Sequence, residues 1–210
     1  MPAVFVHGVP DTDRSWDALL HALDRTDVVG VRLPGFGVET PAGWTATKED
    51  YARWLESELV QIGEPVDLVG HDWGAILVQR VASVRPDLIR TLACGSGPVD
   101  AAYEWHAMAQ AFQTPDVGEQ VIATLTGMNP DELAAGMAAA GTPADLAPLQ
   151  AADIDARMGD CILRLYRSAV TVGAEWEPAV AAMPARPAVV FHGADDPFVD
   201  EACAQRIADR

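Results

Sequence analysis

The chain has 210 residues, 50% of them apolar, which is enough for one domain with a substantial hydrophobic core. Its formal net charge is -17, with 31 acidic against 14 basic residues, which argues against nucleic acid or anionic membrane as a partner. No apolar run is long enough to cross a bilayer and no signal peptide follows Met1, so we predict a soluble cytoplasmic protein. The three cysteines lack metal-ligand spacing and are expected to be buried free thiols: Cys94, Cys161 and Cys203.

Short apolar strands alternate with helices in the first half of the chain. The predicted order is strand 3–6, helix 15–23, strand 28–33, helix 47–62, strand 66–69, helix 74–84 and strand 89–94. Thr47, with Asp50 three residues later, predicts a capped start for the second helix. This alternation is typical of an α/β fold with a parallel sheet covered by helices on both faces.

The alternation stops after residue 97 and resumes near residue 188 with an apolar strand, 188–191, and a helix, 201–209. The intervening segment is rich in alanine, methionine, glutamine and acidic residues at helical spacing. We therefore predict one domain whose core comprises residues 1–97 and 185–210, with a helical cap inserted at residues 98–184.

The sharpest motif is Gly70-His71-Asp72-Trp73-Gly74, which stands between an apolar strand and a helix. It fits the pattern in which two glycines permit a tight strand-to-helix turn that presents the middle side chain above the sheet. The positive end of the following helix favours negative charge at that position. The motif makes Asp72 the candidate nucleophile.

His7-Gly8-Val9-Pro10 ends the first strand and predicts an oxyanion hole. The backbone N–H groups of Val9 and Trp73 are its expected donors. A late-strand carboxylate completes the pattern, since such a group orients a catalytic histidine. Asp196 is preferred for this role because it lies in the turn after the strand, and Asp195 is the alternative.

In order, the segments HGVP (7–10), PGFG (34–37), GHDWG (70–74) and GADDP (193–197) resemble the α/β-hydrolase superfamily. Within it they resemble the branch of epoxide hydrolases and haloalkane dehalogenases. The resemblance implies that Asp72 attacks carbon to form an ester, and that a histidine held by the acid activates the water that hydrolyses it. It implies a small apolar organic substrate and no metal or organic cofactor, and it leaves the oligomeric state open.

The two reactions of this branch differ in how the leaving atom is held. A halide needs N–H donors, which Trp73 supplies, but Val9 occupies a position where dehalogenases commonly have asparagine. An epoxide oxygen needs a proton donor, and the family uses cap tyrosines. Tyr166 resembles one of them and Tyr103 is its candidate partner. Epoxide hydrolysis is therefore the favoured prediction and haloalkane dehalogenation the alternative.

Two tryptophans of the insertion, Trp105 and Trp176, are candidates to line an apolar substrate pocket, with core packing as the alternative for both.

The family's catalytic histidine follows the acid, whereas no histidine follows His192 in this sequence. We expect the family's last strand and helix to lie beyond Arg210. If they did not, Asp72 would be alkylated but its ester hydrolysed slowly. A degenerate hydrolase fold that only binds a ligand is therefore a further alternative. A serine esterase is disfavoured because no G-x-S-x-G motif is present.

Overall fold

A computed structural model describes residues 1–210 and contains one five-stranded sheet. The strands are β1 (Ala3–Val6), β2 (Val28–Val31), β3 (Val66–His71), β4 (Ile89–Gly95) and β5 (Ala188–Phe191). Their order across the sheet is β2-β1-β3-β4-β5, and every neighbouring pair is parallel. The predicted α/β class with a parallel sheet is confirmed.

Ten helices accompany the sheet. They are α1 (Asp17–Ala22), α2 (Lys48–Ile62), α3 (Trp73–Val84), α4 (Ala107–Gln113), α5 (Val117–Gly127), α6 (Pro130–Ala139), α7 (Ala147–Asp153), α8 (Ala156–Ser168), α9 (Val172–Ala181) and α10 (Glu201–Ala208). None of them combines the length and the apolar character that crossing a membrane requires. The predicted capping box is present at the start of α2, where Thr47 and Asp50 satisfy each other's backbone N–H groups.

The strand order creates a crevice at the carboxyl ends of β1 and β3. From β1 the chain crosses outward to β2, whereas from β3 it crosses in the opposite direction to β4. Because parallel crossovers are right-handed, these two connections place α1 on one face of the sheet and α3 on the other. Ligands of open parallel sheets bind in the crevice where the crossover direction reverses.

β2 is shorter than predicted, because it ends at Val31 and not at Leu33. The backbone N–H of Leu33 donates to Nε2 of His7 at 3.0 Å instead of to a neighbouring strand. His7 is fully buried, and its Nδ1 lies 2.7 Å from the carbonyl oxygen of Gly8. The histidine therefore ties the turn after β1 to the end of β2, which is a structural role.

Helices α4 to α9 lie between β4 and β5, where the helical insertion is predicted. They do not form a single layer. Helix α8 packs against α4 and α5, and α6 packs against α7 around a separate small apolar cluster. Helix α9, by contrast, packs on α3 of the core. The three cysteines are free and buried, as expected.

We predict an acid-dependent loss of stability that depends on His7. Burial lowers the pKa of His7 from 6.5 to about 4, so the unfolded chain binds this proton more readily than the folded one. The part of the unfolding free energy that depends on neutral His7 amounts to about 3 kcal/mol. It is fully present above pH 6.5 and is lost as the pH falls towards 4. Urea unfolding at pH 7, 5.5 and 4 measures it. The less stable variant His7→Gln should show a shallower loss, and equal losses in the two proteins would contradict the assignment.

Candidate active site

Asp72 occupies a strained turn between β3 and α3. Its backbone has φ 54° and ψ −124°, a region that side-chain-bearing residues seldom adopt. A Cβ at Gly74 would lie 2.1 Å from the carbonyl oxygen of Val6, and one at Gly70 would lie 2.4 Å from that of Gly74. Only glycines at both positions let the turn lie this close to the end of β1. The predicted elbow is thus present, with the carboxylate at its apex.

The Asp72 carboxylate is held by backbone N–H groups. Val9 donates to its Oδ1 at 2.7 Å, and the adjacent N–H of Trp73 lowers the pKa of the carboxyl group. A Cβ at Gly8 would lie 2.5 Å from the Asp72 side chain, so this approach of the turn after β1 requires glycine. The backbone N–H groups of Val9 and Trp73, the two predicted oxyanion donors, therefore both act on the Asp72 carboxyl group.

Burial raises the pKa of Asp72 from 3.8 to about 6, and the negative charge of Asp196 contributes to the rise. The N–H groups of Trp73 and Val9 oppose this effect by stabilising the carboxylate. At neutral pH the balance leaves Asp72 predominantly ionised, which is the state that a nucleophile requires.

Asp196 lies in the turn after β5 and is fixed by three donors. Its Oδ2 accepts from the hydroxyl of Ser96 at 2.6 Å, and its Oδ1 accepts from the N–H groups of Phe198 at 2.8 Å and Val199 at 3.1 Å. Burial acts to raise the pKa of Asp196, but these hydrogen bonds outweigh it and hold the pKa below the usual value. Asp195 is exposed and has no comparable contacts, so the geometry favours Asp196 over its alternative.

No histidine hydrogen-bonds to Asp196 in this structure. Nε2 of His192 lies 2.8 Å from the carbonyl oxygen of Val199, and Nδ1 of His106 accepts the N–H of Ala109 at 3.3 Å. His71 lies flat against the ring of Phe191, 6.4 Å between centroids.

A cavity of about 390 Å³ lies between Asp72 and Asp196, whereas the predicted site residues Trp73, Tyr103, Trp105, Tyr166 and Trp176 are not among its lining. Its lining comprises Val9, Asp11, His71, Asp72, Ser96, Phe191, Gly193, Asp196, Pro197 and Phe198. The lining thus contains both predicted carboxylates and one of the two oxyanion donors. No three histidine, cysteine or acidic side chains converge to hold a metal ion.

Tyr166 reaches the Asp72 turn from α8. Its ring meets those of Trp73 at 5.2 Å and Trp105 at 5.5 Å, both edge to face. Burial and the nearby charge of Asp72 raise the pKa of Tyr166, so the phenol stays protonated. Its hydroxyl donates to no protein group, whereas the ring is buried. The predicted cap tyrosine is therefore next to the elbow and has its proton available.

Tyr103 lies near the same cluster, with its ring 5.6 Å from that of Trp105. Burial raises the pKa of Tyr103 to about 12, and the charges of Asp72 and Asp196 contribute. Its hydroxyl, however, donates to the carbonyl oxygen of Phe198 at 2.9 Å. Tyr103 is close enough to sense both carboxylates, but its proton already has an acceptor.

The two tryptophans predicted to line the pocket lie in different parts of the structure. Trp105 stacks on Trp73 at 5.8 Å between ring centroids and remains a pocket candidate. Trp176 does not, because it lies on α9 with its ring under Arg80 and Lys48, at 5.1 and 5.8 Å. Arg80 is two helical turns along α3 from Asp72, and Trp176 is buried in the main core, so the structure favours the core-packing alternative for Trp176. The helical spacing of α9 places this residue against α3 and away from the crevice.

Two cavity residues, Asp11 and Ser96, were not among the predicted site residues. Ser96 follows β4 with φ 55°, a second strained residue beside the Asp72 turn. Since the carboxyl ends of parallel strands share one edge, the position of Ser96 directly after a predicted strand was the available signal. For Asp11 the signal was its place two residues after the oxyanion donor Val9.

Residues 3–210 match the family model described as the alpha/beta hydrolase family. Curated relatives include the (E)-2-((N-methylformamido)methylene)succinate hydrolase of Acinetobacter baylyi, 28% identical over 99 residues, which are 46% of this chain and 37% of that protein. The epoxide hydrolase 3 of Siraitia grosvenorii is 37% identical over 97 residues, covering 42% of this chain and 30% of that protein. A haloalkane dehalogenase of Bradyrhizobium diazoefficiens is 27% identical over 138 residues, covering 57% and 44%. Each match spans less than half of the relative's length.

Among solved structures, an ancestral haloalkane dehalogenase superposes with a TM-score of 0.79 at 25% identity. The superposition covers 99% of this chain and 79% of the other. The arrangement of sheet and helices is therefore shared with enzymes of this kind over nearly the whole chain.

We predict that Ser96→Ala raises the pKa of Asp196. The substitution removes the donor to Oδ2, while the donors to Oδ1 remain, so the ionised form loses one stabilising hydrogen bond. Titration of the aspartate carboxyl signals by carbon NMR measures the change. Ser57→Ala, on the exposed face of α2, is the matched control and should leave Asp196 unchanged. An unaltered Asp196 titration in Ser96→Ala would show that the hydroxyl does not hold this carboxylate.

Proposed function

Because the chain belongs to the alpha/beta hydrolase family, we propose that it hydrolyses an epoxide through a covalent ester on Asp72. The observation that carries the proposal is the elbow turn, at which Asp72 lines the cavity with its Oδ1 held at 2.7 Å by the N–H of Val9. The Tyr166 ring packs edge to face on Trp73, the residue after Asp72, and its hydroxyl donates no hydrogen bond within the protein. A carboxylate nucleophile with a phenolic proton donor near it suits the opening of a strained ring.

In the first half-reaction, the Asp72 oxygen not held by Val9 attacks an epoxide carbon. A carbon–oxygen ester bond forms as the ring bond between that carbon and the epoxide oxygen breaks. Tyr166 gives its proton to the leaving oxygen, which becomes the hydroxyl of a hydroxyalkyl ester. The rings of Trp73, Trp105 and Tyr166 form an apolar wall for the organic part of the substrate.

In the second half-reaction, water attacks the carbonyl carbon of the Asp72 ester. Charge then develops on the oxygen that already lies 2.7 Å from the N–H of Val9, so the donor needs no rearrangement. As this intermediate collapses, one proton of the attacking water returns to the Tyr166 phenolate and the other goes to the departing alkoxide, which releases a diol and restores the Asp72 carboxylate. The proposed reaction requires the carboxylate, the phenol and water, with no metal or organic cofactor.

One observation favours haloalkane dehalogenation as a second candidate. The indole N–H of Trp73, the residue after Asp72, is buried near the Tyr166 hydroxyl and makes no well-formed hydrogen bond within the protein. A departing halide would accept that hydrogen bond, which a buried donor otherwise lacks. Val9 contributes no side-chain donor for the halide, and this keeps epoxide hydrolysis as the first candidate.

We predict that Asp72→Asn abolishes covalent labelling. The chain is mixed with an aryl epoxide or, separately, with a primary bromoalkane, quenched in acid and measured by intact-protein mass. The wild type should gain the whole mass of the epoxide, at a rate that rises as pH passes through about 6, because the ionised Asp72 attacks. Asp17→Asn, an exposed aspartate on α1, is the matched control and should label normally.

The outcomes of this experiment separate the candidates. Labelling by the bromide alone would favour dehalogenation, and labelling that persists in Asp72→Asn would exclude Asp72 as the nucleophile. No labelling of folded wild-type protein by either reagent would contradict covalent hydrolysis and favour a fold that only binds a ligand.

We predict that Tyr166→Phe slows labelling by the epoxide about 100-fold but leaves labelling by the bromide nearly unchanged. The epoxide oxygen needs a proton, whereas bromide leaves as an anion. Phenylalanine keeps the ring contacts with Trp73 and Trp105, so the fold is preserved. The ratio of the two labelling rates is measured in variant and wild type. An unchanged ratio would remove Tyr166 as the acid.

A further inference from the structure

Lys48 is the only lysine in the sequence, and it is buried at the start of α2. Its Nζ lies 2.6 Å from the carbonyl oxygen of Ser168, 2.8 Å from a carboxylate oxygen of Glu49 and 3.0 Å from one of Glu175. An ammonium group has three N–H donors, and three acceptors surround this one. Because a buried charge is costly unless it is paired, this group is expected to stay in place.

The contact joins the start of α2 to the end of α8. The first N–H groups and the last carbonyl groups of a helix have no partner within that helix. Lys48 is the first residue of α2 and Ser168 the last of α8. The backbone N–H of Lys48 donates to Oγ of Ser168 at 2.8 Å, while its side chain donates to the Ser168 carbonyl oxygen. Each helix end therefore supplies a partner that the other lacks.

The joined end of α8 carries Tyr166, two residues before Ser168. The Tyr166 ring contacts the rings of Trp73 and Phe112, each at 5.2 Å between centroids, whereas its hydroxyl donates no hydrogen bond within the protein. The phenol is therefore placed by ring packing and by the helix that carries it. A displacement of the end of α8 would move the phenol relative to the Asp72 turn.

We propose that Lys48 is a positioning residue for the opening of the epoxide, because its contact with Ser168 holds the phenol of Tyr166 next to the Asp72 turn. This inference rests on the proposed function, in which Tyr166 protonates the epoxide oxygen. Helix α2 belongs to the core and packs on α3, which begins directly after Asp72. The contact thus fixes the proton donor of the insertion relative to the helix that follows the nucleophile.

A second contact between α8 and the core provides a matched control. The guanidinium of Arg157 lies 2.7 Å from a carboxylate oxygen of Glu39 and 3.3 Å from the carbonyl oxygen of Val38. Arg157 precedes Tyr166 by about two and a half helical turns, at the other end of α8. Loss of this contact should loosen the insertion without moving the phenol.

The experiment compares labelling by the aryl epoxide and by the primary bromoalkane, measured by intact-protein mass. Lys48→Met removes the ammonium group but keeps an apolar stem in the buried site. We expect epoxide labelling of Lys48→Met to be about 10-fold slower, because a displaced donor transfers its proton less readily. Labelling by the bromide should stay nearly unchanged, since bromide leaves without a proton. Arg157→Met should leave the ratio of the two rates as in the wild type.

A double variant tests whether Lys48 acts through Tyr166. In Tyr166→Phe the donor is already absent, so the addition of Lys48→Met should slow epoxide labelling no further. A merely structural effect would add to that of Tyr166→Phe, and it would lower the ratio in Arg157→Met as well. Either result would overturn the positioning role.

Failure of this inference is distinguishable from failure of the proposed function. No labelling of folded wild-type protein overturns the covalent function, and an unchanged ratio in Tyr166→Phe overturns its proton donor. A ratio that falls in Tyr166→Phe but not in Lys48→Met overturns only the role of Lys48. If Lys48→Met does not fold, Ser168→Ala takes its place, because it removes the acceptor of the α2 N–H. The ratio should fall there too, and an unchanged ratio would overturn the role.

Discussion

The close approach of the Asp72 turn to the end of β1 is the constraint on which the site depends. Gly74 lies against the carbonyl oxygen of Val6, and Gly8 lies against the Asp72 side chain, with no space for a Cβ at either position. Because the two turns touch, the N–H of Val9 reaches Asp72, and Asp11 follows it into the same cavity. One backbone contact thus places the Asp72 carboxyl group, the N–H of Val9 and the Asp11 carboxyl group together.

Three carboxyl groups in one cavity repel one another when they are ionised. Their surroundings shift the three pKa values to different extents. Asp196 is stabilised as an anion by donors to both oxygens, so its pKa stays low. Asp72 and Asp11 have fewer donors, and burial raises the pKa of each to about 6. Carboxyl groups with separated pKa values suit separate roles. The group with a fixed charge orients its surroundings, while the two with raised values are poised to change charge during a reaction.

The sequence predicted those parts of the molecule that local pattern determines. Apolar runs of four to six residues predicted the strands, and the glycines around Asp72 predicted the turn, because both depend on residues adjacent in the chain. The predicted end of β2 was wrong, because the N–H of Leu33 donates to His7, which follows β1. The choice between a pocket role and core packing for Trp176 was open in the sequence for a similar reason. Periodicity identifies a buried face of α9 but not which neighbour covers it, and that neighbour is α3. The hydrogen bond between Gln150 and Asp11 was not predicted, because the two residues lie 139 positions apart in the chain.

In the proposed reaction, the core and the insertion supply different groups. The turns at the strand ends carry Asp72 and its N–H donor Val9, whereas α8 of the insertion carries the phenol of Tyr166. Trp73 lies between the core and the insertion. It is the first residue of α3, and its indole packs against Tyr166 and Trp105. Changes in the insertion can therefore alter which leaving atom is stabilised without moving the nucleophile. On this view, epoxide opening and halide release differ by the donors above a shared carboxylate, which explains how one elbow is compatible with both.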